Sequence, residues 1–166
     1  MTQITFKGNA INTIGELPSS GVSAPDFCLC SGSLEDVFLS EFKDKTLILN
    51  IIPSLDTGVC QASAKRFNEI ISDSDEVVVA NISMDLPFAQ GRFCSSENLE
   101  NIKNLSAFRS PDFGVKYGVT ITDGPLKGLL SRAVVLIDKE GQIVYTEQVP
   151  EIAQEPDYDA VINLIK

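Results

Sequence analysis

The chain has 166 residues, of which 43% are hydrophobic, enough to bury one core and short for two comfortable domains. Its 13 basic residues stand against 23 acidic ones, a net charge of −10, with no lysine- or arginine-rich run, which argues against nucleic acid and anionic membranes as partners. The absence of histidine excludes histidine-based general-base catalysis, Ser–His and Cys–His nucleophile pairs and the commonest zinc ligand sets.

In chain order, Thr2 to Ile14 alternates Ile and Phe with polar residues around Gly8-Asn9. This predicts an N-terminal hairpin with a two-residue turn there, lying at an edge of the sheet. The sequence from Met1 to Lys7 lacks a basic segment followed by an apolar stretch, so a soluble, unprocessed, cytoplasmic protein is expected. A breaker-rich stretch, Pro18 to Gly21, leads into a short strand over Ala24–Cys30. Thr46–Ile52 is a nearly continuous apolar run, as in a central strand buried on both faces, and Pro53 stops it.

Val59–Ile71 carries a helical apolar stripe, so a helix begins just after Thr57-Gly58. Glu76–Ile82 predicts a second buried strand, followed by irregular sequence through Ser96. A short helix is expected at Glu97–Lys103, a short strand at Asn104–Phe108 and a helical turn or two at Asp112–Tyr117. Ala133–Ile137 and Ile143–Thr146, separated by Asp138–Gly141, form the clearest hairpin. Asp157–Lys166 is an amphipathic helix capped by Pro156-Asp157. This order predicts an α/β chain with a thioredoxin-like fold: one domain over 1–166, a central mixed sheet flanked by helices, and residues 1–17 as a hairpin extension. Such a fold does not fix a function.

The four cysteines, Cys28, Cys30, Cys60 and Cys94, are too sparse for a disulfide-stapled secreted scaffold. Cys60 stands in the first turn of a helix that leaves a buried strand through a polar loop, where free N–H groups and the helix dipole favour an anion. A guanidinium beside such a thiol favours the thiolate further. Without histidine the natural counter-charge is arginine. Arg132, directly before a strand, is the strongest candidate, with Arg66, Arg92 and Arg109 as alternatives. Cys28 and Cys30 share one side of a strand and read as core or near-surface thiols.

The string Pro53-Ser54-Leu55-Asp56-Thr57-Gly58-Val59-Cys60, followed by Phe67-Asn68, resembles the active-site motif of peroxiredoxins, and of their thiol peroxidase branch in particular. Three further motifs match that branch in order: Asp85-Leu86-Pro87-Phe88-Ala89-Gln90 running on to Arg92-Phe93-Cys94, Asp123 to Leu129, and Glu155-Pro156-Asp157-Tyr158. The resemblance covers essentially the whole chain. It implies an antioxidant peroxidase that reduces hydrogen peroxide and alkyl or lipid hydroperoxides. Cys60 would be the peroxidatic cysteine and Cys94 the resolving one, joined in an intramolecular Cys60–Cys94 disulfide. Thr57 would hydrogen-bond thiolate and peroxide, Pro53 would shield the site from water, and Arg132 would stabilise negative charge. It further implies recycling by thioredoxin, with thioredoxin reductase and NADPH, a homodimer, and no metal, haem or flavin. Because a disulfide needs Cα atoms within about 4.4–6.8 Å, cysteines on separate helices would require local unwinding on oxidation. The apolar residues Leu55, Phe88 and Phe93 read either as core or as a collar for an alkyl peroxide. A general thiol–disulfide oxidoreductase on the same fold is the alternative, weakened by the lack of a C-x-x-C pair. A metal-holding domain fits the cysteine spacing poorly.

Overall fold

The computed structural model describes residues 1–72 and 74–166. Its frame is a seven-stranded mixed sheet in the order β4-β3-β7-β6-β5-β8-β9. The strands are β3 (Cys28–Ser31), β4 (Asp36–Phe38), β5 (Thr46–Ile51), β6 (Val77–Ser83), β7 (Ile102–Ser106), β8 (Ala133–Ile137) and β9 (Ile143–Gln148). β5, β6 and β7 are parallel, and β8 runs antiparallel to both β5 and β9. The helices are α1 (Gly58–Ile70), α2 (Pro87–Glu97), α3 (Asp112–Lys116) and α4 (Tyr158–Ile165). This is the thioredoxin-like layering the sequence predicted.

The sheet separates two apolar clusters, because successive side chains of a strand point to opposite faces. On one face Ile48, Ile52, Val79, Ile102 and Val134 meet Ala64 and Phe67 of α1, Phe93 of α2 and Val161 of α4. On the other, Leu47, Leu49, Ala80, Leu105 and Val135 meet Phe113 of α3, with Tyr117 just beyond it. β5 is therefore buried on both sides, and its neighbours β6 and β8 make it a central strand as expected.

Four local expectations change. The N-terminal hairpin, β1 (Gln3–Phe6) and β2 (Asn9–Asn12), is a separate two-stranded sheet and not an edge of the main one. Its turn is Lys7-Gly8, both at positive φ (51° and 79°) as a two-residue hairpin turn demands. Ile4 and Ile11 of the hairpin pack on Ile121 and Ile152 rather than on the main core. Second, the strand expected at Ala24–Cys30 is confined to β3, which pairs with β4, a strand the sequence reading did not foresee. Third, the segment after β6 is not irregular: α2 opens with Pro87 in its first turn and ends where Asn98 turns left-handed at φ 53°. Fourth, the chain leaves the helix before Leu99 and re-enters the sheet at Ile102, so the helix expected at Glu97–Lys103 does not form. The polar face of α2 hid it, since Gln90 is buried while Phe88 is exposed.

The candidate active site

Pro53 stops β5 and the chain turns through Ser54-Leu55-Asp56 into α1. Thr57 is the N-cap: its Oγ1 accepts from Cys60 N at 3.4 Å and donates to Ser54 O at 3.3 Å. That cap satisfies one of the free N–H groups of the first turn and fixes Cys60 in it. The loop is anchored from the far side by Asp85, which accepts from Ser54 Oγ (2.7 Å) and Leu55 N (2.8 Å). Asp85 stands just ahead of α2, so the segment carrying Cys60 and the segment carrying Cys94 share one carboxylate. The sequence reading assigned Asp85 no role of its own.

Arg132, the residue before β8, reaches under α1. Its Nη2 donates to Cys60 Sγ at 3.3 Å and its Nε to Ile152 O at 2.8 Å. Cys60 is 0% and Arg132 1% exposed. Thus the structure singles out Arg132 among the arginines named from sequence. Arg66 pairs with Glu69 and Arg109 with Asp36, both near the surface, and Arg92 is exposed. The Nη1 of Arg132 is buried without a hydrogen-bond partner, an uncommon condition that costs free energy unless something accepts from it.

That guanidinium lines a pocket of about 160 Å³ bounded by Pro53, Thr57, Val59, Leu126, Leu129 and Ile152, with Phe6 from the N-terminal hairpin. The walls are apolar and the positive group sits in them, a setting in which charge interactions are strong. Of the residues considered for an apolar collar, Leu55 and Phe93 belong to the core and Phe88 is 68% exposed. None of them borders this pocket. The apolar wall of the pocket comes instead from Phe6, from the 126–129 turn and from the loop after β9, segments distant in sequence whose convergence no local motif signals.

Phe6 is held there by Glu151. Its carboxylate accepts from Ala153 N (3.0 Å), Thr5 Oγ1 (2.7 Å), Gly8 N (3.1 Å) and Lys7 N (3.0 Å). These bonds, that from Ala153 N foremost, hold the Glu151 carboxyl down at about 2.

Cys94 lies on α2, half-buried against the same apolar cluster that contains Cys60. All four cysteines are free thiols, so Cys60 and Cys94 are not bonded to each other here. Asn104 on β7 donates through Nδ2 to Cys94 Sγ. Burial pushes the Cys94 thiol up, and this hydrogen bond pulls the other way. Cys28 and Cys30 sit in β3, half-buried and buried respectively. No helix among the described residues is long and apolar enough to cross a membrane.

A thioredoxin-like sheet with a capped, arginine-paired cysteine at the start of its first long helix defines a thiol-redox protein. The redoxin family model matches residues 19–162. The chain is 52% identical over 162 residues to the thiol peroxidases of Mycobacterium tuberculosis and Mycobacterium bovis, covering 98% of this chain and 97% of those proteins. A crystal structure of a peroxiredoxin-like protein from Aquifex aeolicus superposes with a TM-score of 0.93 at 43% identity, covering 99% of this chain and 96% of that one. Thiol peroxidase from Chromobacterium violaceum follows at 0.92 and 25%, covering 98% and 94%. The chain belongs to the redoxin family, and within it to the thiol peroxidases. It is accordingly a thiol-dependent peroxidase enzyme.

Proposed function

We propose that Cys60 is the peroxidatic nucleophile and Cys94 the resolving thiol of a two-cysteine cycle acting on hydrogen peroxide and on alkyl or lipid hydroperoxides. The observation that carries this reading is the Arg132 guanidinium, with one arm on Cys60 Sγ and another buried without a partner, in a residue that borders an apolar pocket. The Cys60 thiolate attacks the terminal oxygen of the hydroperoxide, and the O–O bond breaks. Sulfur keeps the hydroxyl as a sulfenic acid, and the departing alkoxide takes a proton from solvent. Arg132 Nη1 supplies a donor for the charge that develops on oxygen, and the Thr57 hydroxyl, at the pocket rim, supplies a second once it turns from Ser54 O. Pro53 and the apolar walls keep water from the reacting sulfur.

The Cys94 thiolate then attacks the Cys60 sulfenyl sulfur, the S–O bond breaks, and hydroxide leaves as water after protonation. A reduced dithiol returns both electrons by exchange; thioredoxin, recharged by its reductase and NADPH, fits that role. The apolar pocket supports organic hydroperoxides as substrates, and cysteines as sparse as these four fit a reducing cytoplasm. Exposed Leu86, Phe88 and Phe108 support a homodimer formed around the start of α2. We read 1–166 as one domain with 1–17 as an extension, supported by the packing of Ile4 and Ile11 on Ile121 and Ile152.

The test is NADPH oxidation with thioredoxin, its reductase and cumene hydroperoxide, for wild type, Cys60→Ser and Cys94→Ser. Loss of turnover in both variants, with Cys94→Ser still reducing one equivalent of peroxide, supports the two roles. Full turnover by Cys60→Ser overturns the assignment.

A further inference from the structure

Three adjacent parallel strands carry an asparagine at the same level. Asn50 of β5 is the register partner of Asn81 of β6, which is in turn the partner of Asn104 of β7. Asn50 and Asn81 are buried, at 0% and 1% exposure. By strand alternation from Ile48, Val79 and Ile102, all three point to the face covered by α1 and α2. Buried amides in otherwise apolar strands are costly unless hydrogen-bonded, and these bond to one another, with Asn50 Oδ1 alone left without a partner among their buried amide atoms. Asn50 Nδ2 donates to Asn81 Oδ1 at 2.8 Å, Asn81 Nδ2 to Asn104 Oδ1 at 3.2 Å, and Asn104 Nδ2 to Cys94 Sγ. At the other end Asn50 Nδ2 also donates to Ser63 Oγ (3.3 Å), whose hydroxyl donates to Cys60 O (3.0 Å).

The row runs donor to acceptor from the α1 end. Ser63 Oγ donates to the Cys60 carbonyl and accepts from Asn50 Nδ2, with Asn50 Oδ1 left buried without a partner. The same nitrogen donates to the Asn81 oxygen, leaving the Asn81 nitrogen for Asn104. Asn104 then has its oxygen occupied and turns its N–H groups on the Cys94 sulfur. A sulfur facing a fixed donor is stabilised as thiolate more than as thiol.

We propose that Asn104, oriented by Asn81 and Asn50, is a positioning and activating residue for the resolving step: it offers a donor to the half-buried Cys94 sulfur when that sulfur attacks and aims it from the same sheet row that supports Cys60. The inference rests on Cys94 being the resolving cysteine. Among the described residues no charged side chain competes for this role. Lys65 of α1 is paired with Glu97 of α2 at 2.6 Å, and Arg92 is exposed on α2. Glu100 is exposed beyond the helix, and Lys103 of β7 lies over the Phe42 ring on the opposite face. Burial pushes the Cys94 thiol up and outweighs the Asn104 bond that opposes it.

Two substitutions separate activation from support. Asn104→Asp keeps the oxygen that accepts from Asn81 and replaces the donor facing Cys94 by an acceptor; Asn104→Ala removes both. Reduced protein is mixed with one equivalent of cumene hydroperoxide and quenched at intervals, with the sulfenic acid trapped by dimedone and the disulfide quantified by peptide mass spectrometry. The ratio of the disulfide-forming to the sulfenate-forming rate constant at neutral pH is expected to fall about three- to tenfold in Asn104→Ala and further in Asn104→Asp. Peptide-resolved alkylation of Cys94 by iodoacetamide should reach half-maximal rate at higher pH in both, and raising the pH should restore the ratio in Asn104→Ala. An unchanged ratio and alkylation profile in both variants overturns the proposal. So does a fall in both rate constants together that pH does not correct, because it marks a merely structural role. Cys94→Ser serves as the separate control: wild-type turnover there removes the resolving assignment itself, whereas an inactive Cys94→Ser with unaffected Asn104 variants removes only the role of Asn104.

Discussion

Ser54 and Asp85 are joined side chain to side chain at 2.7 Å, and the Asp85 carboxylate also accepts from Leu55 N and from Ser83 Oγ, each at 2.8 Å. One acid therefore holds the loop ahead of Cys60 against the turn ahead of α2. Asp85→Ala strands these donors, at a cost of about 1–3 kcal/mol. Calorimetry should show a Tm lowered by several degrees, roughly 2–4 °C for each kcal/mol in a domain of this size. An unchanged Tm would show that water replaces the carboxylate without loss.

Arg132→Lys is expected to behave as a severe substitution. An ammonium cannot deliver an Nε–H to Ile152 O, one arm to Cys60 Sγ and a third group to the pocket at once. The second-order rate constant for Cys60 oxidation should drop by about 10²–10³, the usual consequence of losing a preorganised donor. A drop of less than threefold would remove the guanidinium from the peroxide step.

At Thr57 the comparison is between Ser and Val. Serine preserves the cap on Cys60 N, while valine deletes it at about 1 kcal/mol. Thr57→Val should therefore lose both Tm and peroxide rate, with Thr57→Ser close to wild type in both. Equal Tm values for the two variants would mean that the cap contributes nothing to stability.

The clamp at Glu151 gives a pH dependence with a definite sign. Its folded value, about 2, lies below the ordinary glutamate value of about 4.3. The depressed group adds stability that is fully present above the unfolded value and is lost as pH falls through the folded one. The protection against exchange of the Thr5 and Ile152 amides, which bond across this contact, should fall between about pH 4.5 and 2 once the intrinsic slowing of exchange in acid is divided out. Glu151→Gln should exchange faster already at neutral pH and show a flatter response in that window.

Disulfide formation between Cys60 and Cys94 should loosen both helices that carry them. Each thiol is held within a formed helix, on separate elements, whereas the bond needs Cα atoms within about 4.4–6.8 Å. Hydrogen–deuterium exchange should rise on oxidation in the first turn of α1 and in residues 87–96. Superposable reduced and oxidised forms around both cysteines would refute this.

Much of the site was legible because its chemistry is local. Thr57, Gly58 and Cys60 announce a helix start and an anion position in four residues, and α1 begins where that pattern places it. Arg132 ranked ahead of Arg66, Arg92 and Arg109 for its place directly before a strand, but seating it against Cys60 needed coordinates, since 72 residues separate the two. α2 was misplaced because its apolar residues do not form a stripe: Phe88 faces outward and Gln90 inward. The asparagine row left a trace that went unused. Asn50 and Asn81 each interrupt an apolar strand, and an amide in such a position must find a buried partner. Reading two such interruptions on adjacent strands together would have suggested their pairing. Glu151 gave no comparable trace, because its partners lie on the N-terminal hairpin and are backbone groups for the most part.

The pocket wall also orders events in time. A ribosome delivers Cys60 first, but the guanidinium beside it arrives with residue 132 and the carbonyl that steadies that guanidinium with residue 152. Until then Cys60 has no counter-charge. A nascent chain therefore carries Cys60 as an ordinary thiol until those two late partners have joined the fold.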